Sequence, residues 1–196
     1  MRRAADLCTA LRIALAPVLA WQLGLPREQG AVAAFWLFVV AAATDYVDGA
    51  LARASGTASR RGRVFDHAAD ALLLFPAFLV VADEGRIPLV LPLAAMASFA
   101  LYVLDGWRRG GSLGTIDLGG SRSGAIGGVL NYVIVAAVVA AGMLDARWLD
   151  QAIYAAAYAV AAVNAASAFE RAPLLLMPAR GSRGEETEAR APRSSP

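Results

Sequence analysis

Apolar stretches close to the ~20 residues that a helix needs to cross a bilayer recur along the whole chain. They lie at about residues 8–25, 31–52, 64–83, 87–105, 124–144 and 148–169. Hydrophobic residues make up 58% of the 196 positions, a content that excludes an ordinary soluble domain. The sequence therefore predicts an all-α fold, a polytopic membrane helix bundle of about six transmembrane helices.

A single membrane domain is expected over residues 1–172, because the sequence shows no internal repeat and no second domain. The composition changes after Pro173, and the closing run RGSRGEETEARAPRSSP is polar, rich in Pro and Ser, and mixed in charge. Such a segment has too little apolar surface to form a packed core. Residues 173–196 are therefore predicted to form a disordered cytoplasmic tail.

The positions of the arginines orient the predicted bundle. All basic residues are arginine, and most of them flank one set of alternate loops. This set comprises Arg2, Arg3, Arg12, Arg53, Arg60, Arg61, Arg63, Arg108, Arg109, Arg122 and Arg171. The opposite loops hold Arg27, Arg86 and Arg147, each with at least one acidic neighbour. The positive-inside rule then places both termini, the loop beside the aspartates and the active site in the cytoplasm. Exclusive use of arginine, with abundant alanine, is typical of a GC-rich bacterial coding bias. We expect a multi-pass protein of the bacterial cytoplasmic (inner) membrane.

Eight residues at fixed spacing lie within the run TDYVDGALARASGTASRRGRVFDHAAD. They follow the pattern D-x2-D-G-x2-A-R-x8-G-x3-D-x3-D and are Asp45, Asp48, Gly49, Ala52, Arg53, Gly62, Asp66 and Asp70. Ionised groups near a bilayer are costly unless they pair with other charges or hold cations. A divalent metal ion on a phosphate-bearing substrate is the natural partner for four such carboxylates.

The spacing of the aspartates predicts how they meet. Asp45 and Asp48 are three residues apart and Asp66 and Asp70 are four apart, so each pair projects from one face of a helix. Two facing helices would place the four carboxylates around one cavity, and carboxylate oxygen suits Mg²⁺, Mn²⁺ or Ca²⁺. The single His and the single Cys of the chain do not fit an ordinary zinc or redox site.

The complete pattern resembles the signature of the CDP-alcohol phosphatidyltransferases, which are membrane enzymes of phospholipid synthesis. Every signature position within residues 45–70 holds the expected residue. The resemblance extends to Thr9 and Arg12, which are similar to a Thr-x-x-Arg in the first membrane helix of many members. It implies an enzyme that transfers a phosphatidyl group from a CDP-linked lipid, such as CDP-diacylglycerol, to the hydroxyl of a small polar alcohol and releases CMP.

The resemblance also implies roles for the signature residues. Asp45, Asp48, Asp66 and Asp70 would bind Mg²⁺ or Mn²⁺, and Asp70 would also act as the general base on the acceptor hydroxyl. The residues expected to border the CDP portion are Gly49, Ala52, Arg53 and Gly62. A homodimer in the lipid bilayer is implied, and the small residues of 154–168 suit close helix packing. No nucleic-acid partner is expected.

The segment 105–124 bears on the identity of the acceptor. Arg108, Arg109 and Arg122 would bind a phosphorylated acceptor, so glycerol 3-phosphate, which bacterial members widely use, is the first expectation. The same arginines also suit an ordinary loop that sets topology. The chain lacks the lysines typical of glycerol 3-phosphate users, and Ala71 stands where those members often have one. Serine and inositol phosphate therefore stay open as acceptors.

A function of another class, an ion-coupled transporter, also fits carboxylates inside a membrane, because such groups mark ion paths. The clustering of the motif beside one predicted cytoplasmic loop argues against a path across the bilayer. A related protein without activity is disfavoured because all four aspartates are present. His67 has no required place in the expected chemistry, and helix packing is its expected role.

Overall fold

The computed structural model describes residues 2–54, 60–110 and 122–176, and it describes their side chains except at 2–8, 48–49, 51–54, 60–65, 109–110 and 174–176. Within these ranges the chain forms α-helices, one short 3-10 turn and no strand. The helices are α1 (Arg2–Leu23), α2 (Arg27–Ala54), α3 (Arg60–Asp83), α4 (Val90–Gly110), α5 (Arg122–Met143) and α6 (Asp150–Leu176), with the 3-10 turn at Arg147–Leu149. The predicted all-α polytopic fold is confirmed.

Each predicted apolar stretch corresponds to one of these helices. The described segments that are long and apolar enough to cross a membrane are Arg27–Val47, Val90–Arg108, Arg122–Met143 and Arg147–Pro173. A shorter apolar stretch, Thr9–Leu23, lies in α1. Large apolar side chains such as Trp36, Leu93 and Val129 are exposed on the outside of the bundle. In a membrane this surface faces lipid, which offers apolar side chains the same environment as the protein core.

The core of the bundle combines bulky and very small side chains. Leu19, Leu73 and Phe78 are fully buried at its centre, and Ala41 and Ala77 are buried beside them. Alanine at a helix interface lets two backbones approach closely, which is how membrane helices gain van der Waals contact without a hydrophobic driving force. The most extensive helix pairs are α4 with α6, α1 with α3 and α1 with α2.

A buried amide pair joins α5 to α6 within this core. Asn164 donates to Asn131 at 2.9 Å, and Asn131 donates back to Asn164 at 3.3 Å. Each side chain thereby satisfies the polar group that the other would leave unpaired in an apolar surrounding. Gly127 leaves room for this pair, because a Cβ at that position would lie 3.2 Å from the Asn164 side-chain oxygen.

Three tight turns lie together at one end of the bundle, which we call the turn end. They connect α1 to α2, α3 to α4 and α5 to α6. Gly85 ends α3 with a left-handed φ of 66°, and Asp145 ends α5 with a φ of 46°. Glycine adopts this conformation without a Cβ clash, and Asp is one of the few other residues that tolerate it. The opposite end holds Thr9, Asp45 and Asp66, and we call it the aspartate end.

The predicted tail lies almost entirely beyond this structure. Helix α6 continues through Pro173 to Leu176, and residues 177–196 lie outside the described residues. The division into a membrane domain over 1–172 and a disordered tail over 173–196 therefore stays a prediction.

Candidate active site

Arg12 stands at the centre of a cluster of charges that extends from the middle of the bundle toward the aspartate end. Its side chain is fully buried, at 0% exposure. Its Nη1 atom lies 2.6 Å from Asp45 Oδ1 and 2.6 Å from Asp70 Oδ1, and its Nη2 atom lies 3.3 Å from Asp66 Oδ1. One guanidinium on α1 therefore binds carboxylates from both α2 and α3. Because these oxygens are all within reach of one group, the three aspartates converge on a single point.

Helix geometry explains why these residues meet. Asp66 and Asp70 are four positions apart on α3, and Thr9 and Arg12 are three positions apart on α1, so each pair occupies one helix face. The extensive packing of α1 on α3 turns these two faces toward each other. Helix α2, which also packs on α1, brings Asp45 to the same place.

Two hydroxyl groups complete the arrangement around the carboxylates. Thr9 Oγ1 donates a hydrogen bond to Asp66 Oδ1 at 3.4 Å. The Tyr132 hydroxyl, on α5, donates to Asp70 Oδ1 at 2.6 Å. Asp70 Oδ1 thus accepts from both Tyr132 and Arg12, which fixes the orientation of that carboxylate. A carboxylate held in this way presents its second oxygen in a defined direction.

The cluster is open on the side away from Arg12. The side chains of Asp45, Asp66 and Asp70 are 39%, 42% and 24% exposed, in contrast to the fully buried arginine. A ligand that arrives from the aspartate end can therefore contact the carboxylates without passing through the bundle.

The donor set has the chemistry of a site for a hard divalent cation. Three carboxylates face one guanidinium, so a negative charge remains that a cation would neutralise. Among the described side chains, which leave out Asp48, no group of three or more His, Cys, Asp and Glu is arranged to hold a metal ion without rearrangement. Arg12 occupies the point where the carboxylates converge, so a metal ion would share their oxygens with this arginine. The residues present fit Mg²⁺ or Mn²⁺ in charge and donor type.

Comparison with known proteins agrees with this arrangement. A family model described as CDP-alcohol phosphatidyltransferase matches residues 2–163, which include Thr9, Arg12, Tyr132 and all the aspartates of the cluster. The chain belongs to the CDP-alcohol phosphatidyltransferase family. It is also 37% identical over 99 residues to a CDP-diacylglycerol--glycerol-3-phosphate 3-phosphatidyltransferase of Pseudomonas fluorescens. That match covers 50% of this chain and 51% of the relative, so it spans about half the length of either protein.

Several of the site residues predicted from the family signature lie where the structure describes no side chain. These are Asp48, Gly49, Ala52, Arg53, Gly62 and Arg109. Arg108 is exposed in the last turn of α4, and Arg122 is exposed at the first position of α5. Both helix ends belong to the aspartate end of the bundle. The roles assigned to all these residues stay predictions.

Tyr132 is the contact that sequence reasoning missed. It is 62 residues away from Asp70 and lies in α5, outside the signature, so no local spacing connects the two. The available signal was a hydroxyl-bearing side chain in a helix that is otherwise almost entirely apolar. A buried tyrosine hydroxyl usually has a hydrogen-bond partner, but its identity depends on how the helices pack.

A second polar cluster at the same end joins α3, α4 and α6. Buried Arg171 lies 3.9 Å from buried Asp105, and its guanidinium stands 4.9 Å from the centre of the Tyr102 ring. The same ring meets His67 edge-on, with 5.4 Å between ring centres. His67 follows Asp66 directly, so these contacts support the helix turn that carries the aspartates.

Proposed function

We propose that this protein transfers the phosphatidyl group of CDP-diacylglycerol to glycerol 3-phosphate and releases CMP. The observation that carries the proposal is the convergence of Asp45, Asp66 and Asp70 on Arg12, in a chain whose family model covers residues 2–163. Arg12 and Asp70 lie near the midpoints of α1 and α3, and Asp45 and Asp66 lie closer to the aspartate end. A cluster that is partly exposed and displaced toward one end suits a ligand entering from that side better than an ion path through the bilayer.

The proposed reaction is a direct displacement at phosphorus. The acceptor hydroxyl oxygen forms a bond to the lipid-side phosphorus, the bond between that phosphorus and the bridging oxygen breaks, and CMP leaves with the bridging oxygen. The hydroxyl proton passes to Asp70. Tyr132 and Arg12 both bind Asp70 Oδ1, which supports a role for the second oxygen, Oδ2, as the proton acceptor.

The four signature aspartates, Asp45, Asp48, Asp66 and Asp70, are the residues that would hold Mg²⁺ or Mn²⁺. Bound there, the ion would neutralise charge on the phosphate oxygens of the CDP-linked lipid. Arg12 limits the repulsion among the carboxylates and keeps them in place. Gly49, Ala52, Arg53 and Gly62 are proposed to border the CDP portion, where small residues allow close approach and an arginine can pair with phosphate.

The choice of glycerol 3-phosphate has two supports. The relative from Pseudomonas fluorescens carries that acceptor in its name. In addition, Arg108 and Arg122 are exposed at the aspartate end, where a phosphorylated acceptor needs cationic partners. Arg109 is proposed to act with them. The absence of lysine from the chain and the alanine at position 71 keep serine and inositol phosphate as the competing acceptors.

A panel of acceptors tests the proposal. Purified protein is incubated with CDP-diacylglycerol, Mg²⁺ and radiolabelled glycerol 3-phosphate, serine or inositol phosphate in parallel, and both labelled lipid and free CMP are measured. Label from glycerol 3-phosphate alone is expected, and Asp70→Asn serves as the inactive control. Label from serine or inositol phosphate alone would replace the acceptor and leave the reaction class standing. No CMP release with any acceptor would refute the reaction class.

Location and assembly are also proposed. The pattern of arginines supports a bacterial inner-membrane protein with both termini and the aspartate end in the cytoplasm. At the opposite end, Arg27 is paired with Asp150 at 2.6 Å, and Arg147 with Asp145 at 3.2 Å. A homodimer is proposed through the small residues of α6. A mass measurement in gentle detergent tests it, and a strict monomer would contradict it.

A further inference from the structure

A cavity at the turn end, far from the carboxylates around Arg12, is lined by three arginines and three acidic residues. It has a volume of about 310 Å³ and is lined by residues from all three tight turns. Its charged lining residues are Arg27, Glu28, Glu84, Arg86, Arg147 and Asp150. The volume is several times the roughly 30 Å³ that one water molecule occupies in the liquid, so a polyatomic anion fits inside.

The arginines of this cavity differ in how they are neutralised. Arg27 binds both carboxylate oxygens of Asp150, at 2.6 and 2.5 Å, and Arg147 contacts Glu28 at 3.6 Å and Asp145 at 3.2 Å. Arg86 has a different partner, the backbone carbonyl of Val138, at 3.1 Å. Within the part of the chain that the structure describes, no carboxylate lies within ion-pair distance of Arg86. It is therefore a half-buried cation without a direct ion pair, although the charges of Asp150 and Glu84 act on it from a longer distance.

Buried nitrogen atoms with no hydrogen-bond partner mark the same place. Among the described side chains they include Arg86 Nε and Arg27 Nη1. Both side chains also line a smaller void next to the cavity, bounded by Gly142 and Val139. A buried N–H without an acceptor costs about 1–3 kcal/mol, and more when the group is charged. Because these two nitrogens are closed to water, a ligand in the cavity would first meet the other nitrogens of the two guanidinium groups.

The backbone holds Arg86 in this position. Gly85 adopts its left-handed φ of 66°, and the N–H of Arg86 then donates to the carbonyl of Val81 at 3.0 Å. This is the closing bond of a helix C-terminal cap, and it fixes the direction in which the next side chain leaves α3. Burial, followed by the nearby charge of Arg27, lowers the pKa of the Arg86 guanidinium, and the charges of Asp150 and Glu84 oppose this shift only in part.

We propose that the turn-end cavity binds a phosphate-type anion between Arg86 and Arg27. The planar guanidinium group matches the oxygen atoms of a phosphate in a two-pronged hydrogen-bonded pair, which favours phosphate over a small monatomic anion. The ligand is either the headgroup phosphate of an anionic phospholipid or free inorganic phosphate, and the experiment separates the two.

The test compares two calorimetric titrations of the full chain in neutral detergent. Each titration measures the dissociation constant of one phosphate-bearing ligand. One arm uses inorganic phosphate and the other a soluble, short-chain phosphatidylglycerol. Arg86→Gln is expected to weaken binding about tenfold or more in one arm, because it removes charge-assisted hydrogen bonds to the phosphate. The arm that responds identifies the source of the phosphate. Arg147→Gln is the matched control, since it removes the same charge from an exposed, paired residue of the same cavity. The affinity of this variant for either ligand should change little.

The difference between variants, rather than total binding, is the readout, because the aspartate end is also proposed to bind phosphate groups. Equal affinities of wild type and Arg86→Gln in both arms would overturn the proposal. A loss of affinity in the Arg147→Gln control as large as that in Arg86→Gln would also overturn it. Circular dichroism and gel filtration check that the variants keep their fold. If Arg86→Gln does not fold, Arg86→Lys takes its place. Lysine keeps the positive charge but lacks the planar pair of donor nitrogens that binds two phosphate oxygens at once. Unchanged affinity of Arg86→Lys in both arms then overturns the proposal.

Discussion

Arg12 and Asp70 are 58 residues apart in the sequence, yet Arg12 Nη1 lies 2.6 Å from Asp70 Oδ1. The same nitrogen lies 2.6 Å from Asp45, so this one contact connects the first three helices at the aspartate end. The arginine is fully buried, whereas its carboxylate partners are partly exposed. An uncompensated buried charge is strongly destabilising, so each part of the cluster depends on the other.

Replacing Arg12 by Gln should therefore destabilise the protein and abolish turnover. Breaking a buried ion pair costs about 3–5 kcal/mol, and the partial exposure of the carboxylates puts the expected loss near or below the lower bound. Thermal unfolding in detergent measures it, with Arg147→Gln as the control for removing an exposed positive charge. Because the carboxylates repel one another more strongly without Arg12, added Mg²⁺ should raise the unfolding temperature more in this variant than in wild type. An unchanged unfolding temperature and turnover would contradict the role of Arg12.

Tyr132→Phe should lower kcat while the KM for the CDP-linked lipid changes little. The substitution removes a hydrogen bond of 2.6 Å to Asp70 and keeps the ring that packs against Phe38. A hydrogen bond to a charged group is worth about 1.5–3 kcal/mol, which corresponds to a loss of about tenfold to a hundredfold in rate. Tyr158→Phe, at an exposed position of α6, is the control. Equal kinetics of Tyr132→Phe and wild type would show that Asp70 does not depend on this hydroxyl.

Much of this fold was predictable because apolar periodicity reports directly on helices that lie in lipid. The predicted stretch 31–52 corresponds to α2 (Arg27–Ala54), and 64–83 to α3 (Arg60–Asp83). The helices extend past several apolar stretches, because a helix can continue beyond the hydrocarbon region with polar residues that hydropathy does not register. The tight turn after α3 depends on Gly85, which supplies a left-handed conformation, and apolar periodicity does not report on it.

The site was predictable in part, for a physical reason. Helical spacing states which residues share a face, and so places Asp66 with Asp70 and Thr9 with Arg12. Spacing does not predict which helix faces pack against each other. The contact between Tyr132 and Asp70 follows only from the packing of α5 beside α3. The neutralisation of the carboxylates by Arg12, rather than by a metal ion alone, is likewise a property of packing.

Activity should depend on a divalent metal ion. Four carboxylates repel one another when no cation offsets their charge, and Arg12 supplies only one positive charge to the three that are described. EDTA is expected to abolish CMP release, and Mg²⁺ or Mn²⁺ to restore it. The metal should also stabilise the folded protein by about 2.7 kcal/mol at a hundred times its dissociation constant. Full turnover in the presence of chelator would rule out the metal site.

The aspartates should differ in what they contribute. Asp70→Asn is expected to reduce turnover severely while binding of the CDP-linked lipid largely survives, because a general base acts on the acceptor hydroxyl. Asp45→Asn should weaken both metal and nucleotide binding. Calorimetric titration with a CDP-linked lipid, beside single-turnover rates, separates the two effects. If both variants lose nucleotide affinity to the same degree, Asp70 acts as one more metal ligand and another group must accept the proton.

The acceptor-binding role of Arg122 predicts a change in one KM and not in the other. Arg122 is exposed at the start of α5, ten residues before Tyr132, which corresponds to about 15 Å along the helix. Arg122→Ala should raise the apparent KM for glycerol 3-phosphate about tenfold or more, since a charge-assisted pair with phosphate is worth about 1.5–3 kcal/mol. The KM for CDP-diacylglycerol should change much less, and Arg147→Ala at the turn end should change neither value. An equal rise in both KM values would place Arg122 at the CDP-linked lipid or in the fold, and would leave Arg108 and Arg109 as the acceptor's cationic partners.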